Sequence, residues 1–240
     1  SFWAPILMES KGFVSQFGIL KGIILPKQNR RIEVLPYISS ADKLEPGDSK
    51  DPYYSKHNII GNMGVDFKIG LGSNFTLTGT INPDFGQVEA DPADLNLSAF
   101  ETFFEERRPF FLEGTDIFKF GKTRAFRAGS PSIFYSRRIG RNPRGSITGN
   151  SYYEDYPSQT KILSALKFSG KTNSGLSVGI LDAITAKENA KYRDSTNTEA
   201  FQAVEPFANS LVLRLKQDLK DGKIIFGGFL TNKQLSLIHI

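Results

Sequence analysis

The chain has 240 residues, 39% hydrophobic and 23% charged, with 30 basic against 25 acidic side chains, a net charge of +5 and no cysteine. The lack of cysteine excludes disulfide scaffolds, zinc ribbons and thiol catalysis, and two histidines leave little for a metal centre or a Ser-His-Asp triad, so we expect no metal and no cofactor. Basic and acidic residues are interleaved along the chain, which predicts a mixed polar surface and no nucleic-acid partner.

Apolar and polar residues alternate along much of the chain, which is the period-two pattern of β-strands. Two weaker strand candidates come first, at residues 17–25 and 31–38, and a third lies at 132–139. The clearest alternation runs from Met63 to Ile81 around a Gly-Ser-Asn turn and predicts a β-hairpin. Two more hairpins are predicted at about 160–186, with a turn at 171–175, and from Leu211 to Thr231, around Asp221-Gly222.

One segment departs from this alternation and predicts a short helix at residues 98–108. Apolar side chains recur there at i, i+4, two residues have the spacing of a capping box, and Pro109 ends the pattern. Two polar stretches with little pattern, 40–56 and 188–206, predict long loops.

Short turns therefore alternate with long polar connections, as on the two sides of an outer-membrane barrel. The hairpin arms have about the 9–11 residues that a membrane β-strand needs, with polar faces that suit a wet lumen and apolar faces that suit lipid. A soluble β-sandwich has the same alternation, and the pattern alone leaves both open. The sequence contains no run of about 18 uninterrupted apolar residues and so predicts no transmembrane helix.

The sequence contains no complete catalytic or phosphate-binding motif. Two Gly-Lys-Thr triplets, at 121–123 and 170–172, lack the leading glycine of a P-loop, and neither a G-x-S-x-G elbow nor an H-E-x-x-H pair occurs. Chemistry would therefore depend on carboxylates, which are dense over residues 82–116. Two of them could act as acid and base on a glycosidic bond, several could hold Ca²⁺, or they could be turn, cap and ion-pair residues.

No catalytic residue is assigned from these patterns. The candidate ligand-binding or lumen ion-pair residues are Asp84, Glu89, Asp91, Glu101, Arg107, Arg108, Arg137 and Arg138.

Three stretches are more specific than any short motif. They are Asn-Pro-Asp-Phe-Gly-Gln-Val-Glu-Ala-Asp-Pro-Ala at 82–93, Arg-Arg-Pro-Phe-Phe-Leu-Glu-Gly at 107–114 and Ile-Phe-Tyr-Ser-Arg-Arg-Ile-Gly at 133–140. With them, the chain resembles domain-of-unknown-function family 5916 over about residues 11–232, most densely over 82–141.

The resemblance implies a secreted outer-membrane β-barrel domain that follows a family 9-like carbohydrate-binding domain in proteins of Bacteroidota and related bacteria. It supplies no catalytic residues. We therefore expect residues 1–16 to be a linker from a missing N-terminal domain and 17–234 to be a partial barrel with an irregular or helical insert at 82–116. Residues 235–240 resemble translated sequencing-adapter sequence, and we expect them to be a non-native tail.

These features together predict an all-β, antiparallel up-and-down barrel of the outer-membrane type, incomplete, with one short helical insert near 98–108. The leading function is a fragment of an outer-membrane protein of a Gram-negative bacterium associated with carbohydrate binding or uptake. Its partners would be outer-membrane lipid and a carbohydrate ligand bound through the missing domain. On this view residues 82–114 pack inside the lumen or cap one end, with Phe side chains buried and charges paired.

Two alternatives from other classes stay open. One is a glycan hydrolase that uses paired carboxylates within 84–101, namely two of Asp84, Glu89, Asp91 and Glu101. The other is a structural or partner-binding barrel module.

Overall fold

The computed structural model describes residue 22 and residues 31–44, 46–84, 104–119, 133–149, 151–194, 196–220 and 224–236. Antiparallel β-sheet dominates these ranges. The strands are β1 Ile32–Lys43, β2 Asn58–Leu71, β3 Phe75–Ile81, β4 Ser151–Asp155, β5 Ile162–Lys171, β6 Leu176–Thr185, β7 Glu188–Asp194, β8 Glu199–Glu205, β9 Ala208–Leu219 and β10 Ile224–Leu235.

Helical structure in the described part of the chain is confined to the connection between β3 and β4. It consists of a short α-helix, α1, at Pro109–Leu112 and 3-10 helices at Thr115–Phe118 and Ser136–Arg138. None of the helices in these ranges has the length and the apolar character needed to cross a membrane.

Seven strands form one antiparallel sheet in the order β1-β2-β3-β5-β6-β9-β10, and the other three form a small sheet in the order β4-β7-β8. The three predicted hairpins are confirmed as β2–β3, β5–β6 and β9–β10, and the weak candidate at 31–38 is confirmed as part of β1. Within the described ranges the outer edges of β1 and β10 have no strand partner, so the large sheet is open. The predicted antiparallel all-β fold is therefore confirmed as an incomplete sheet.

The tight turns of the large sheet all lie at one end of its strands, and the long connections all lie at the other. The short connections are 72–74, 172–175 and 220–223, and the long ones are 44–57, 82–161 and 186–207. Gly72 and Gly175 adopt φ angles of 68° and 89°, which glycine reaches without steric cost, so the first two turns can be tight.

Two predictions made from local pattern are wrong. Residues 133–139 are not a strand, because the carbonyls of Ser136 and Ile139 accept hydrogen bonds from a buried arginine and the chain turns through a 3-10 helix between them. Residues 188–206 are not a loop, because β7 and β8 pair as a hairpin whose first strand also pairs with β4. The loop predicted at 40–56 begins at residue 44, since β1 continues to Lys43.

The helix predicted at 98–108 is also wrong in its described part. Residues 104–108 are not helical, and Pro109 begins α1 instead of ending a helix, because its fixed φ and missing N–H suit the first helical turn. The remainder of that predicted helix and the strand candidate at 17–25 lie outside the described residues.

The pairing register places alternate residues of all seven strands on two faces of very different polarity. The inner face is the one against which residues 104–119 and 133–141 pack, and we call these residues the inner layer. Charged strand residues on the inner face are Glu33, Lys43, Asp66, Lys68, Lys167, Lys171, Arg214, Lys216, Asp218 and Lys233. In the described strands, the charged residues of the outer face are only Asp42 and Asp182. Asp182 accepts a hydrogen bond of 2.8 Å from Asn209.

The rest of the outer face is mostly apolar, and no part of the described chain covers it. Its exposed large side chains are Ile32, Val34, Ile38, Ile59, Met63, Leu71, Ile81, Leu166, Leu215, Leu219, Ile224, Phe226 and Leu230. A soluble sheet domain turns its apolar face inward and its polar face to water. This sheet has the reverse polarity.

The buried core lies between the inner layer and strands β5, β6 and β9. Its buried members are Phe110, Phe111, Phe118, Ile139, Ile162, Ala165, Leu181, Ala183 and Val212. Gly179 of β6 allows the close approach, since a Cβ there would lie 2.1 Å from Ile117 Cγ2 and 3.1 Å from the Phe118 ring.

We expect Gly179→Ala to lower the free energy of unfolding by about 1–3 kcal/mol, because the added methyl forces the Thr115–Phe118 helix away from the sheet. Gly228→Ala is the matched control, since a Cβ at Gly228 meets nothing within 4 Å. Urea unfolding followed by circular dichroism measures both. Equal stability of the two variants would contradict the close packing at Gly179.

Candidate functional site

The inner layer begins with a segment whose sequence favours sharp turns. Pro109 starts α1, and Gly114 follows it with a left-handed φ of 67° that leads directly into the Thr115–Phe118 helix. This path turns Phe110 and Phe111 toward the sheet, where their rings meet edge to face with centroids 5.0 Å apart. In the described part of the predicted insert, Phe110 and Phe111 are therefore buried, while Phe104 is half-buried.

A buried ion pair between Glu106 and Arg108 lies at the centre of the inner layer. The Arg108 side chain is 1% exposed, and its Nε and Nη2 donate to the two carboxylate oxygens of Glu106 at 2.8 Å each. Nη1 donates to the Ile139 carbonyl at 2.7 Å and Nη2 to the Ser136 carbonyl at 2.9 Å. The guanidinium also lies 4.2 Å from the centroid of the Phe111 ring. One side chain therefore holds together both segments of the inner layer.

Glu106 is satisfied on every side. Its carboxylate accepts from the Ser136 hydroxyl at 2.5 Å and from the backbone N–H groups of Arg107 and Arg108. Burial acts to raise the pKa of Glu106, but the hydrogen bonds and charge of Arg108 and the bond from Ser136 outweigh it and hold the pKa below its usual value. The carboxylate is therefore a fixed anion, poorly suited to donate or take up protons near neutral pH.

Two further contacts tie the same segments together. The Tyr135 hydroxyl accepts from the Phe104 N–H at 2.8 Å and donates to the Phe104 carbonyl at 3.1 Å. Arg137 donates to the Glu105 carbonyl at 3.0 Å, with its guanidinium 5.8 Å from the Phe104 ring centroid. These bonds join the two segments of the inner layer.

Lys167 fixes the inner layer to the wall of the sheet. This side chain projects from β5 and is 2% exposed, and its ammonium donates to the carbonyls of Phe110 and Glu113 at the end of α1. It also lies 4.8 Å from the Phe110 ring centroid. A cation at the carbonyl end of a helix is favourable because those groups lack partners within the helix. Lys68 of β2 adds an ion pair with Glu113.

Apart from Arg138, the residues predicted from sequence fall into three groups. Arg108 and Arg137 are inner-layer residues that bind backbone carbonyls, and Arg107 is exposed beside them. Asp84 lies apart, at the end of the segment after β3, where it accepts from the Ser39 hydroxyl and its N–H donates to the Tyr37 hydroxyl at 3.0 Å. Glu89, Asp91 and Glu101 lie outside the described residues.

Arg138 belongs to a different place, a basic cavity that sequence reasoning did not find as a unit. The cavity has a volume of about 620 Å³ and lies between residues 133–144 and strands β9 and β10. We define it by its cationic lining residues, which are Arg138, Arg141, Arg144 and Lys233. Lys233, Arg141 and Arg144 were not among the residues predicted from the sequence. Only the fold brings the four together.

Other central residues were also missed by sequence reasoning. Glu106 was one of many carboxylates in a dense segment, and the sequence does not single out its partner. Lys167 could have been identified from the sequence. The alternation of β5 places it on the polar face of the strand, and a lysine there predicts a polar interior. Within the described ranges, no three His, Cys, Asp or Glu side chains are grouped so that they could hold a metal ion.

These features define a class of protein before any comparison. The chain is an antiparallel up-and-down β-domain whose polar inner face is occupied by one of its own long connections. Comparison with protein families then identifies the chain as belonging to the family described as Domain of unknown function (DUF5916), which matches residues 29–226. This match includes β1 to β9 and the beginning of β10. Searches of curated proteins and of solved structures found no match.

We expect Arg108→Met to lower the free energy of unfolding by about 3–5 kcal/mol, because it leaves the Glu106 carboxylate and two carbonyls without their donor in a buried place. Arg107→Met is the matched control and should change stability by less than about 0.5 kcal/mol, since that side chain is exposed. Denaturant titration of both variants at neutral pH tests this. Similar losses in the two would show that the ion pair does not hold the inner layer.

The same pair makes a prediction for acid stability. Because the folded-state pKa of Glu106 lies below its usual value, its contribution to stability is fully present above the unfolded-state pKa and is lost as the pH falls through the folded-state pKa. Unfolding midpoints measured from about pH 7 down to about pH 3 should therefore fall less steeply in Glu106→Gln than in the parent. Parallel curves for the two would exclude Glu106 as a source of the acid sensitivity.

Proposed function

We propose that the seven-stranded sheet is part of the lipid-facing wall of an outer-membrane β-barrel in a Gram-negative bacterium, with the inner layer inside the lumen. The observation that carries this proposal is the reversed polarity of the sheet. Its outer face presents uncovered Ile, Val, Leu, Met and Phe side chains, while its charged residues face the inner layer. Contiguous exposed apolar surface of this extent is unusual on a soluble protein and is what a bilayer solvates.

The positions of the exceptions support the same proposal. Asp42 lies on β1 one residue before its end, near the connection that follows, and Asp182 lies in the half of β6 next to the long connection 186–207. Asn209, Asn232 and Gln234 are also outer-face residues, and they lie at the end of the sheet that carries the long connections. An apolar surface with polar residues concentrated toward one end is the pattern of a lipid-facing band that meets an interface there.

Strand length and connectivity agree with a membrane wall. Strands β2, β5, β6 and β9 have 14, 10, 10 and 12 residues, enough to cross the hydrocarbon layer with a tilt of about 40°. Short turns at one end and long connections at the other are the arrangement found in outer-membrane barrels. Closure would require strands that pair with the outer edges of β1 and β10, because unpaired backbone groups are very costly in lipid.

A role in carbohydrate binding or uptake is the finer part of the proposal. It rests on the family resemblance seen in the sequence, and the carbohydrate would be bound by a domain outside this chain. No contact among the described residues favours the hydrolase alternative, since Asp84 is engaged with Ser39 and Tyr37. A purely structural or partner-binding barrel stays the other alternative.

The membrane proposal is tested directly by fractionating cells that express the protein. The protein should remain in the outer-membrane fraction after a carbonate or high-salt wash, and its mobility on a denaturing gel should change on boiling. A protein released into the soluble periplasmic fraction, with no change of mobility, would refute the proposal.

The absence of cysteine in the chain allows a sharper test of which face meets lipid. We expect a fluorophore on Leu77→Cys, an outer-face position of β3, to be quenched by a quencher attached to lipid chains. The same fluorophore on its neighbour Thr78→Cys, which faces the inner side, should resist the lipid quencher. The two variants differ by one position in one strand, so local backbone differences are small. Equal quenching at both sites would show that the outer face is not in contact with lipid.

A further inference from the structure

The basic cavity has a feature that the membrane proposal does not use, namely the convergence of four cations. Lys233 lies close enough to Arg138, Arg141 and Arg144 to be affected by the charge of each. Several cations that line one partly enclosed space favour a ligand of opposite charge.

Among the described residues, the acidic side chain Glu205 contacts one of the four cations, Arg144. Arg144 Nη2 lies 3.4 Å from Glu205 Oε1, and the Arg144 N–H donates to Glu205 Oε2 at 3.1 Å. Glu205 is buried at the end of β8, so it orients Arg144 from behind rather than filling the cavity. Arg138 and Arg141 also interact with other groups of the chain. The cavity takes its character from the convergence of four cationic side chains, not from any of them lacking a partner.

The remaining lining shows what kind of ligand would fit. Ser210 and Thr231 offer hydroxyl groups, while Phe134, Ile139 and Val212 form an apolar side. The volume of about 620 Å³ is in the range of small-molecule sites and too small for a folded partner. Arginine forks match the geometry of phosphate and sulfate oxygens, since two parallel N–H groups can donate to two oxygens.

We propose that the basic cavity binds a small organic ligand that carries tetrahedral oxyanion groups, phosphate or sulfate. Arg138, Arg141 and Lys233 contact the oxyanions, Arg144 is held in place by Glu205, and the apolar side receives the organic part of the ligand. This assignment is independent of whether the outer face of the sheet meets lipid, because all its contacts are made on the inner side or at the long-connection end of β9 and β10.

The test is calorimetric titration of the folded, purified chain with inorganic pyrophosphate, with sulfate and with uncharged maltose. We expect pyrophosphate or sulfate to bind, and the tighter of the two identifies the oxyanion. Maltose should not bind at the same concentrations. Raising the salt concentration should weaken the oxyanion binding, because charge provides most of it.

Two variants and one control locate the site. Arg141→Gln and Lys233→Gln should each weaken oxyanion binding by about tenfold, the effect of losing one charged hydrogen bond. Lys50→Gln removes the same charge from an exposed position between β1 and β2 and should leave binding unchanged. If Arg141→Gln does not fold, Lys233→Gln carries the test alone, since Lys233 is exposed near the end of β10.

The outcomes separate cleanly. Binding that falls in the two cavity variants and not in Lys50→Gln supports the site. No measurable binding of either oxyanion up to about 10 mM, or equal loss in all three variants, would overturn it. Failure of the fractionation experiment would leave this result unaffected, because the titration needs only the folded chain.

Discussion

The structure depends on one constraint, which is that the buried cations on the inner side of the sheet need partners other than bulk water. Arg108 and Lys167 are almost completely buried, and both use backbone carbonyls as their main partners. A buried cation without such partners would cost several kcal/mol. The inner layer therefore does more than fill space, since its carbonyls make the polar interior of the sheet possible.

The two faces of the sheet make opposite demands on the same strands. The inner face needs groups that can donate or accept hydrogen bonds to a packed connection, and the outer face needs only apolar volume. Because side chains alternate, both demands are met by one period-two pattern, in which Leu77 and Thr78 are neighbours with different surroundings. Because of the same alternation, a one-residue slip in register would move the charged residues of the inner face to the apolar outer face. Turns at fixed positions, such as Gly72 and Gly175, hold that register.

Sequence reasoning recovered the parts of this fold that are local. The hairpins β2–β3, β5–β6 and β9–β10 were predicted because alternation and turn residues are both encoded within about twenty positions. The turn at Ser136–Arg138 was not predicted, because it depends on a distant partner, Arg108. The hairpin β7–β8 was not predicted, because its strands are polar and alternate only weakly.

The candidate sites follow the same division. Arg108 and Arg138 were identified as charged residues of interest. The sequence could not show that Arg108 joins the two segments of the inner layer or that Arg138 lines a cavity. The carboxylates that attracted most attention, other than Asp84, lie outside the described residues. Glu106 becomes significant through the burial of its neighbour Arg108 and through Ser136, thirty positions away, and Lys233 through arginines far from it in the sequence.

The grouping of all long connections at one end of the sheet has a consequence for the order of folding. Each tight hairpin can form within microseconds, since its strands are joined by three or four residues. Pairing β3 with β5 closes a loop of about eighty residues, and its entropy cost grows only with the logarithm of that length. The three hairpins would then pair side by side through β3–β5 and β6–β9. The inner layer would pack once both of these pairs have formed. Assembly would be limited by the joining of hairpins rather than by their formation.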